Sequence, residues 1–277
     1  MSAAAAQRAV KQTPLDKDQN KDGMPVIVMR AVENGRAALE RGDPDKAVKM
    51  LVNADVLCQK CEAPPTIHGL CLRSLSDAMA TGGDLDGARE PLERGIALCK
   101  KFEGRAGMPE VMARDLNGRL GDLHSALGEL ERTVGNMKQG VQNLRKGADY
   151  ISRLGQPELH AAALNRVGFC LLAKQEPKLA LDELDEAEGI INQVRPQEEA
   201  LEHGPFLLAA TKAHQGQAKA MQGDLAAARA LLEEAVVLGG QTGNGDAAEQ
   251  AAAQLEALNG GGQEKKQETQ VDESAFL

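Results

Sequence analysis

The feature that most constrains the fold is a pattern of small residues and leucine that recurs five times between residues 35 and 235. In each copy a small residue is followed 12 positions later by a second small residue, then after four by Leu and after three more by a third small residue. The copies are Gly35, Ala47, Leu51, Ala54; Ser76, Ala88, Leu92, Gly95; Gly128, Gly140, Leu144, Gly147; Gly168, Ala180, Leu184, Ala187; and Gly216, Ala228, Leu232, Ala235. Two antiparallel helices approach closely only where facing residues are small, and Leu fills the space between neighbouring hairpins. The pattern therefore predicts five helical hairpins.

The turn inside each predicted hairpin has its own signature. GDPDKA (Gly42 to Ala47), GDLDGA (Gly83 to Ala88) and GDLAAA (Gly223 to Ala228) are close variants of one another. Gly accepts the left-handed conformation at the end of a helix, and the following Asp caps the next helix. GNMKQG (Gly135 to Gly140) and QEPKLA (Gln175 to Ala180) are weaker copies. The turns therefore lie where the small-residue pattern requires them.

Composition favours helix and argues against several functional classes. Good helix formers dominate, and no segment alternates apolar and polar residues as a strand would. The net charge of -9 and the 2% aromatic content leave neither a phosphate-neutralising patch nor stacking platforms, so we expect no nucleic-acid partner. No apolar run has the length of a membrane span or a signal peptide. Five cysteines are typical of reduced thiols in a cytoplasmic protein.

The repeated pattern resembles the tetratricopeptide repeat (TPR), whose second helix begins with Ala, an apolar residue four positions on and a small residue three further. The resemblance covers about residues 25 to 240, although Leu72, Met79, Leu164 and Leu171 stand where the family commonly has Trp or Tyr. The copy from Ala163 to Glu188 is similar to the longer repeats of kinesin light chains and related adaptors. Successive first-helix small residues are 41, 52, 40 and 48 positions apart, against about 34 in the common repeat. The resemblance implies an all-α, right-handed α-solenoid of about five hairpins.

Three regions are predicted along the chain. Residues 1–23 are polar and contain Pro, which is typical of a flexible arm. Residues 24–258 form the repeat domain, with insertions near 104–118 and 195–205, and it ends in a capping helix at 246–258. Residues 259–277 form a flexible tail that starts with Asn-Gly-Gly-Gly. Its last residues, Phe276 and Leu277, are either an unimportant end or an anchor that docks on a partner.

Two segments imitate metal sites. DQNKDG (Asp18 to Gly23) has the first half of a calcium loop, but Met29 stands where a bidentate acid is needed. Cys58, Cys61, His68 and Cys71 are zinc-ligand types at an unusual spacing, and both Cys58 and Cys61 also continue the apolar stripe of a helix. We therefore predict a solvated linker and buried thiols rather than metal sites, with zinc as the open alternative.

No catalytic constellation accompanies the repeats. His124, His160, His203 and His214 have no partner at metal or triad spacing, and no phosphate-binding loop, nucleophile elbow or HExxH motif is present. The prediction is a protein that is not an enzyme, with no cofactor and no small-molecule substrate.

The first helices of a hairpin solenoid line its concave surface. Projecting them places six residues on or near that groove: Arg36, Arg73, Asn165, Arg166, Phe169 and Gln217. By resemblance, Asn165 and Arg166 take the place where light-chain-type repeats present groove asparagines. The arginines, although interrupted by Asp77, Glu129 and Arg132, favour an extended or helical partner segment with acidic character.

Two functions follow from this interpretation. The first is a cytoplasmic adaptor or scaffold that binds a segment of another protein in the groove. The alternative, by family analogy, is a permanent subunit of a cytoskeletal or ciliary assembly that uses convex faces, insertions and tails.

Overall fold

The computed structural model describes residues 24–194 and 204–272, with side chains from 26 to 193 and from 204 to 259. The described residues form eleven helices and no strand, which confirms the all-α prediction. Their bounds are α1 (Met24–Glu40), α2 (Pro44–Lys60), α3 (Pro65–Thr81), α4 (Leu85–Lys100), α5 (Glu110–Thr133), α6 (Met137–Ser152), α7 (Pro157–Ala173), α8 (Pro177–Val194), α9 (Gly204–Met221), α10 (Leu225–Thr242) and α11 (Gly245–Asp272). None of these described helices combines the length and the apolar character that crossing a bilayer requires.

The helices pack as five consecutive antiparallel hairpins, α1–α2 through α9–α10, followed by α11. The chain divides between Leu154 and Gly155 into two compact units. Unit 1 contains α1 to α6, and unit 2 contains α7 to α11. Within each unit the first helices of successive hairpins contact one another: α1 with α3 and α3 with α5 in unit 1, α7 with α9 and α9 with α11 in unit 2. Each unit therefore has a face built from first helices.

The repeated pattern is the contact between the two helices of each hairpin. The five repeat leucines are at most 1% exposed: Leu51, Leu92, Leu144, Leu184 and Leu232. A Cβ added to the first-helix glycine of four hairpins would lie 2.5 to 2.7 Å from a leucine carbon, at Gly35, Gly128, Gly168 and Gly216. This distance is shorter than any van der Waals contact, so only glycine fits without a shift of the leucine. Small residues therefore lie where the two helices approach closely, as predicted. The leucine, which was predicted to fill the space between neighbouring hairpins, packs against the first-helix glycine of its own hairpin in these four cases.

The hairpin turns have the predicted backbone geometry. Gly42, Gly83, Gly135 and Gly223 have φ between +76° and +87°. The three aspartates that follow a turn glycine in the GD motifs accept a hydrogen bond from a backbone amide of the next helix: Asp43 from Lys46, Asp84 from Gly87 and Asp224 from Ala227. In the remaining hairpin, Gln175 occupies the left-handed position with φ +64°.

We expect Gln175→Gly to stabilise the protein. A side chain in the left-handed region costs about 1–2 kcal/mol, and the greater freedom of glycine in the unfolded chain returns about 0.5–1 kcal/mol of this. The free energy of unfolding should therefore rise by about 0.5–1 kcal/mol in urea titrations. The matched control is Gly223→Gln at the equivalent turn, which should lower stability by a similar amount. A loss on Gln175→Gly would contradict the strain argument.

Two boundaries differ from the sequence prediction. The last helix, α11, runs beyond Leu258 and through Gly260 to Gly262, which had been assigned to a flexible joint. The strong helix formers of QEKKQET after these glycines favour its continuation. The first insertion appears as a loop over 101–109 and a 24-residue α5. The predicted N-terminal arm and calcium-like segment, most of the second insertion, and Phe276 and Leu277 lie outside the described residues.

Candidate functional site

A pocket of about 420 Å³ opens on the first-helix face of unit 2. Its walls come from three successive first helices: Ala162, Asn165, Arg166 and Phe169 of α7, Leu207, Ala210 and His214 of α9, and Gln250 of α11. The spacing of three and four residues along α7 and α9 places these side chains on one face of each helix. Asn165, Arg166 and Phe169, three of the six residues projected from sequence, therefore line one pocket.

Asn165 has a different role from the one predicted. It is 5% exposed, and its amide is bonded inside the protein. Its Nδ2 donates to Thr211 Oγ1 at 2.7 Å, and its Oδ1 lies 2.5 Å from His214 Nδ1. Since an amide oxygen can only accept, His214 Nδ1 is the donor. Asn165 therefore holds the imidazole of His214 in place instead of offering a free amide to a partner.

A ligand in the pocket would meet the imidazole of His214 rather than the amide of Asn165, because that amide is already bonded. Burial lowers its pKa to about 4, so the imidazole is neutral at pH 7. With the proton on Nδ1, the second nitrogen, Nε2, is a hydrogen-bond acceptor. The ring also lies against Phe169, with the ring centroids 5.1 Å apart. No motif spacing connects His214 with Asn165, because 49 residues separate them in the chain.

Arg166 and Gln217 differ in their relation to the pocket. Arg166 is exposed and has no ion-pair partner among the described residues, and it is the one charged residue of the pocket wall. Gln217 lies on α9 three residues beyond His214 and does not line the pocket. Its Oε1 is buried and has no hydrogen-bond partner among the described residues.

Two of the predicted arginines, Arg36 and Arg73, belong to unit 1. Arg36 is exposed on α1. Arg73 donates to Asp77 one turn along α3 and approaches Asp122 of α5 at 3.5 Å. Two carboxylates therefore compensate its charge. Asp77, which was predicted to interrupt the row of arginines, is one of these two carboxylates.

Unit 1 contains a buried ionic network that sequence analysis missed. Asp55 of α2 is 3% exposed and lies 2.6 Å from His68 Nε2 of α3. Arg94 of α4 donates to both carboxylate oxygens of Asp55, at 3.1 and 2.9 Å. Burial raises the pKa of Asp55, but the hydrogen bond to His68 and the charge of Arg94 outweigh burial and hold the pKa below its usual value. The network joins three helices.

The four zinc-like residues differ in burial and in their hydrogen-bond partners, and Cys61 is only half-buried. Cys58 and Cys71 are fully buried, and the Cys71 thiol donates to Leu51 O at 3.6 Å. The hydrogen bond to Cys58, together with burial, raises the pKa of Cys71, and burial raises that of Cys61. His68 is bonded to Asp55 and not to the cysteines. Over the side chains from 26 to 193 and 204 to 259, no three His, Cys, Asp or Glu residues gather as a metal ion would require.

Comparison with known proteins identifies the fold. The sequence matches no protein-family model and no curated protein. The structure is similar to nearly identical TPR-like repeats of a putative kinesin light chain from Podosopora anserina, with a TM-score of 0.62 and 18% identity over 79% of this chain and 98% of that one. It is also similar to a STAND signal-transduction ATPase with a tetratricopeptide repeat sensor from Pyrococcus horikoshii, with a TM-score of 0.64 and 16% identity, over 84% of this chain and 33% of that one.

A third similar structure is BtubC (BKLC) from P. vanneervenii, with a TM-score of 0.53 and 17% identity over 82% of this chain and 94% of that one. Likenesses at such low identity show the fold alone. They confirm an all-α solenoid fold of TPR-like hairpins with kinesin-light-chain-like repeats, as the sequence predicted.

Proposed function

We propose, from the TPR-like fold of the chain, that it is a non-enzymatic protein-interaction scaffold whose unit 2 pocket binds an extended or helical segment of another protein. The observation that carries the proposal is the pocket itself, because it collects Asn165, Arg166 and Phe169 on the first-helix face. Helical-repeat proteins use this face for extended binding surfaces.

The residues that line the pocket indicate which kind of partner segment it would bind. Ala162, Phe169, Leu207 and Ala210 form an apolar wall beside the exposed guanidinium of Arg166. Such a wall accepts one apolar side chain, and a guanidinium binds a carboxylate through two parallel hydrogen bonds. The partner segment therefore carries an apolar residue next to an acidic one. The proposal that the partner segment is acidic depends on Arg166, since Arg73 is already paired with two carboxylates of this protein.

We expect Arg166→Glu to abolish most binding of acidic segments. The wild-type chain would be applied to an array of short synthetic peptides that combine apolar and acidic residues in varied order. Bound peptides would then be measured by fluorescence anisotropy against Arg166→Glu. Loss of one charge-assisted pair and gain of a like charge should weaken binding about tenfold to a hundredfold.

The matched control is Lys178→Glu, which makes the same charge change at an exposed position of α8, outside the pocket wall. It should leave peptide affinity unchanged. Equal losses with both variants would indicate a non-specific charge effect. If the array contains no peptide that depends on Arg166, the groove proposal is wrong, and the alternative of a structural subunit in a cytoskeletal or ciliary assembly becomes the better hypothesis.

A further inference from the structure

The unit 2 pocket contains a cation without a counter-charge in its own wall. None of the eight lining residues is acidic, and α9, which forms one wall, contains no Asp or Glu along its whole length. The exposed guanidinium of Arg166 therefore lies beside the apolar side chains of Phe169 and Leu207. A ligand that fits this surface supplies a carboxylate and a large apolar group close together.

The residues that end α11 and follow it have this composition. The ten residues from Glu268 to Leu277, which we name the tail segment, include three acidic side chains and no basic one. Glu273 precedes Phe276 by three positions and Leu277 by four. Side chains at this spacing share one face of a helix. The tail segment therefore combines a carboxylate with two large apolar groups.

The residues before α1 match the pocket less well. Residues 1–23 contain four basic and three acidic residues, and Lys17 directly follows Leu15 and Asp16. Basic side chains of this region would meet Arg166 as like charges, which disfavours binding. Charge complementarity therefore favours the tail segment over residues 1–23.

The length of α11 determines which copy of the tail segment reaches the pocket. Gln250 lines the pocket, and α11 continues from it to Asp272. At about 1.5 Å per residue, the helix carries Asp272 about 33 Å away from Gln250. The residues from Glu273 to Leu277 span at most about 18 Å when fully extended. While α11 is intact, the occupant must therefore come from a second copy of the chain.

We propose that the unit 2 pocket of one copy binds the tail segment of a second copy, with the Glu273 carboxylate on the Arg166 guanidinium and Phe276 against the apolar wall. The inference rests on the proposed function and names a partner for the same pocket. The pocket and the tail segment are different surfaces of the chain, so a dimer keeps one free pocket and one free tail segment. Such a heterologous contact continues into chains of copies or closes into rings.

The first test measures the size of the full chain by sedimentation velocity from low to high micromolar concentration. The wild type should pass from monomer to larger species as the concentration rises. Arg166→Glu should weaken this association about tenfold or more, and so should the double variant Phe276→Ser with Leu277→Ser. Lys178→Glu, with the same charge change outside the pocket wall, should associate like the wild type.

A mixture of two variants identifies the contact itself. Arg166→Glu keeps an intact tail segment, and the double tail variant keeps an intact pocket, so one productive contact can form between them. The mixture should form a dimer at concentrations where each variant alone is monomeric. It should not grow further, because the remaining pocket and the remaining tail segment carry the substitutions. A mixture that stays monomeric would overturn the inference.

A labelled synthetic peptide of residues 268–277 tests the pocket without self-association. Its C-terminal end is amidated, so that only side-chain carboxylates act. In fluorescence anisotropy it should bind the full wild-type chain, and Arg166→Glu in the protein or Glu273→Gln in the peptide should weaken binding about tenfold. A peptide of residues 1–23 should not bind; binding of that peptide in place of the tail peptide would overturn the inference.

The outcomes separate this inference from the proposed function. Array peptides that depend on Arg166, with a chain that stays monomeric and does not bind the tail peptide, would overturn the self-association and leave the proposed function intact. Association that Arg166→Glu leaves unchanged would also overturn it. Tighter binding of the tail peptide by the double tail variant than by a monomeric wild type would show that each chain holds its own tail, against the contact between copies. If neither the array peptides nor the tail peptide depend on Arg166, both proposals are wrong.

Discussion

Replacing Asp55 by Asn is expected to lower the free energy of unfolding by about 2–3 kcal/mol, because hydrogen bonds to a buried charged group are lost. The Asp55 carboxylate is the acceptor that α2 offers to both His68 of α3 and Arg94 of α4. An amide carries no charge and turns one oxygen into a donor, so Arg94 would lose one of its two hydrogen bonds to residue 55 and would keep only Glu90, 3.4 Å away on its own helix, as a counter-charge. The effect should appear in urea titrations at pH 7 as a lower midpoint with an unchanged slope.

The control is Asp45→Asn on the same helix, where the carboxylate is exposed in the first turn of α2. Only a weak interaction with the helix dipole is lost there, so the expected effect is about 0.5 kcal/mol. The double variant Asp55→Asn with Arg94→Gln should lose less than the sum of the single losses, because both remove the same contact. Equal effects of Asp45→Asn and Asp55→Asn would show that the network contributes nothing to stability.

The pH dependence of stability gives a second view of the same carboxylate. The pKa of Asp55 is lowered in the folded protein, so its contribution is fully present above the ordinary pKa of about 3.9 and is lost as the pH falls through the folded value. The stability difference between the wild type and Asp55→Asn should therefore shrink as the pH falls below about 3.9. A difference that stays constant into strong acid would show that Asp55 is not ionised in the folded protein.

The parts of the fold that sequence could predict are those set by local spacing. Where two helices of a hairpin pack closely, a glycine is required at a fixed distance from the turn. This requirement is visible in the sequence as a spacing such as that of Gly168, Ala180 and Leu184. Positive φ at the turn favours Gly there. The free amide hydrogens at the start of the next helix favour a capping Asp directly after that Gly. These signals need no knowledge of which hairpins are neighbours.

The polar contacts of unit 1 and those of the unit 2 pocket each depend on which hairpins are neighbours, and local spacing does not encode them. Asn165 contacts His214 across 49 residues, and Asp55 contacts Arg94 across 39. Projection onto one helix placed Asn165 correctly on the pocket side, but it could not show that the amide was already bonded. The same limit applies to Arg73, whose neighbour Asp77 was visible from sequence while Asp122 of the following hairpin was not.

Gly128 makes the repeat pattern itself testable. A Cβ at this position of α5 would lie 2.6 Å from Leu144 Cγ, 2.9 Å from Leu144 N and 3.0 Å from Gly140 O. Two of these three atoms belong to the backbone of α6, so no rotation of a side chain removes the clash and the two helices must separate. Ala in a helix ordinarily stabilises by about 1 kcal/mol relative to Gly. Overpacking costs about 1–3 kcal/mol and sometimes more, so we expect Gly128→Ala to lower stability by about 2 kcal/mol.

Two further alanine substitutions determine whether the close approach of the helices is the cause. Gly189→Ala lies within α8, where an added Cβ meets nothing within 4 Å, so propensity alone acts and stability should rise by up to about 1 kcal/mol. Gly168→Ala meets only side-chain atoms of Leu184, at 2.7 Å and beyond, and a leucine can shift. Its loss should therefore lie between the other two values in urea titrations. This order follows only if the small residues let helix backbones touch. A gain at Gly128 equal to the gain at Gly189 would mean that the five-copy pattern has another origin.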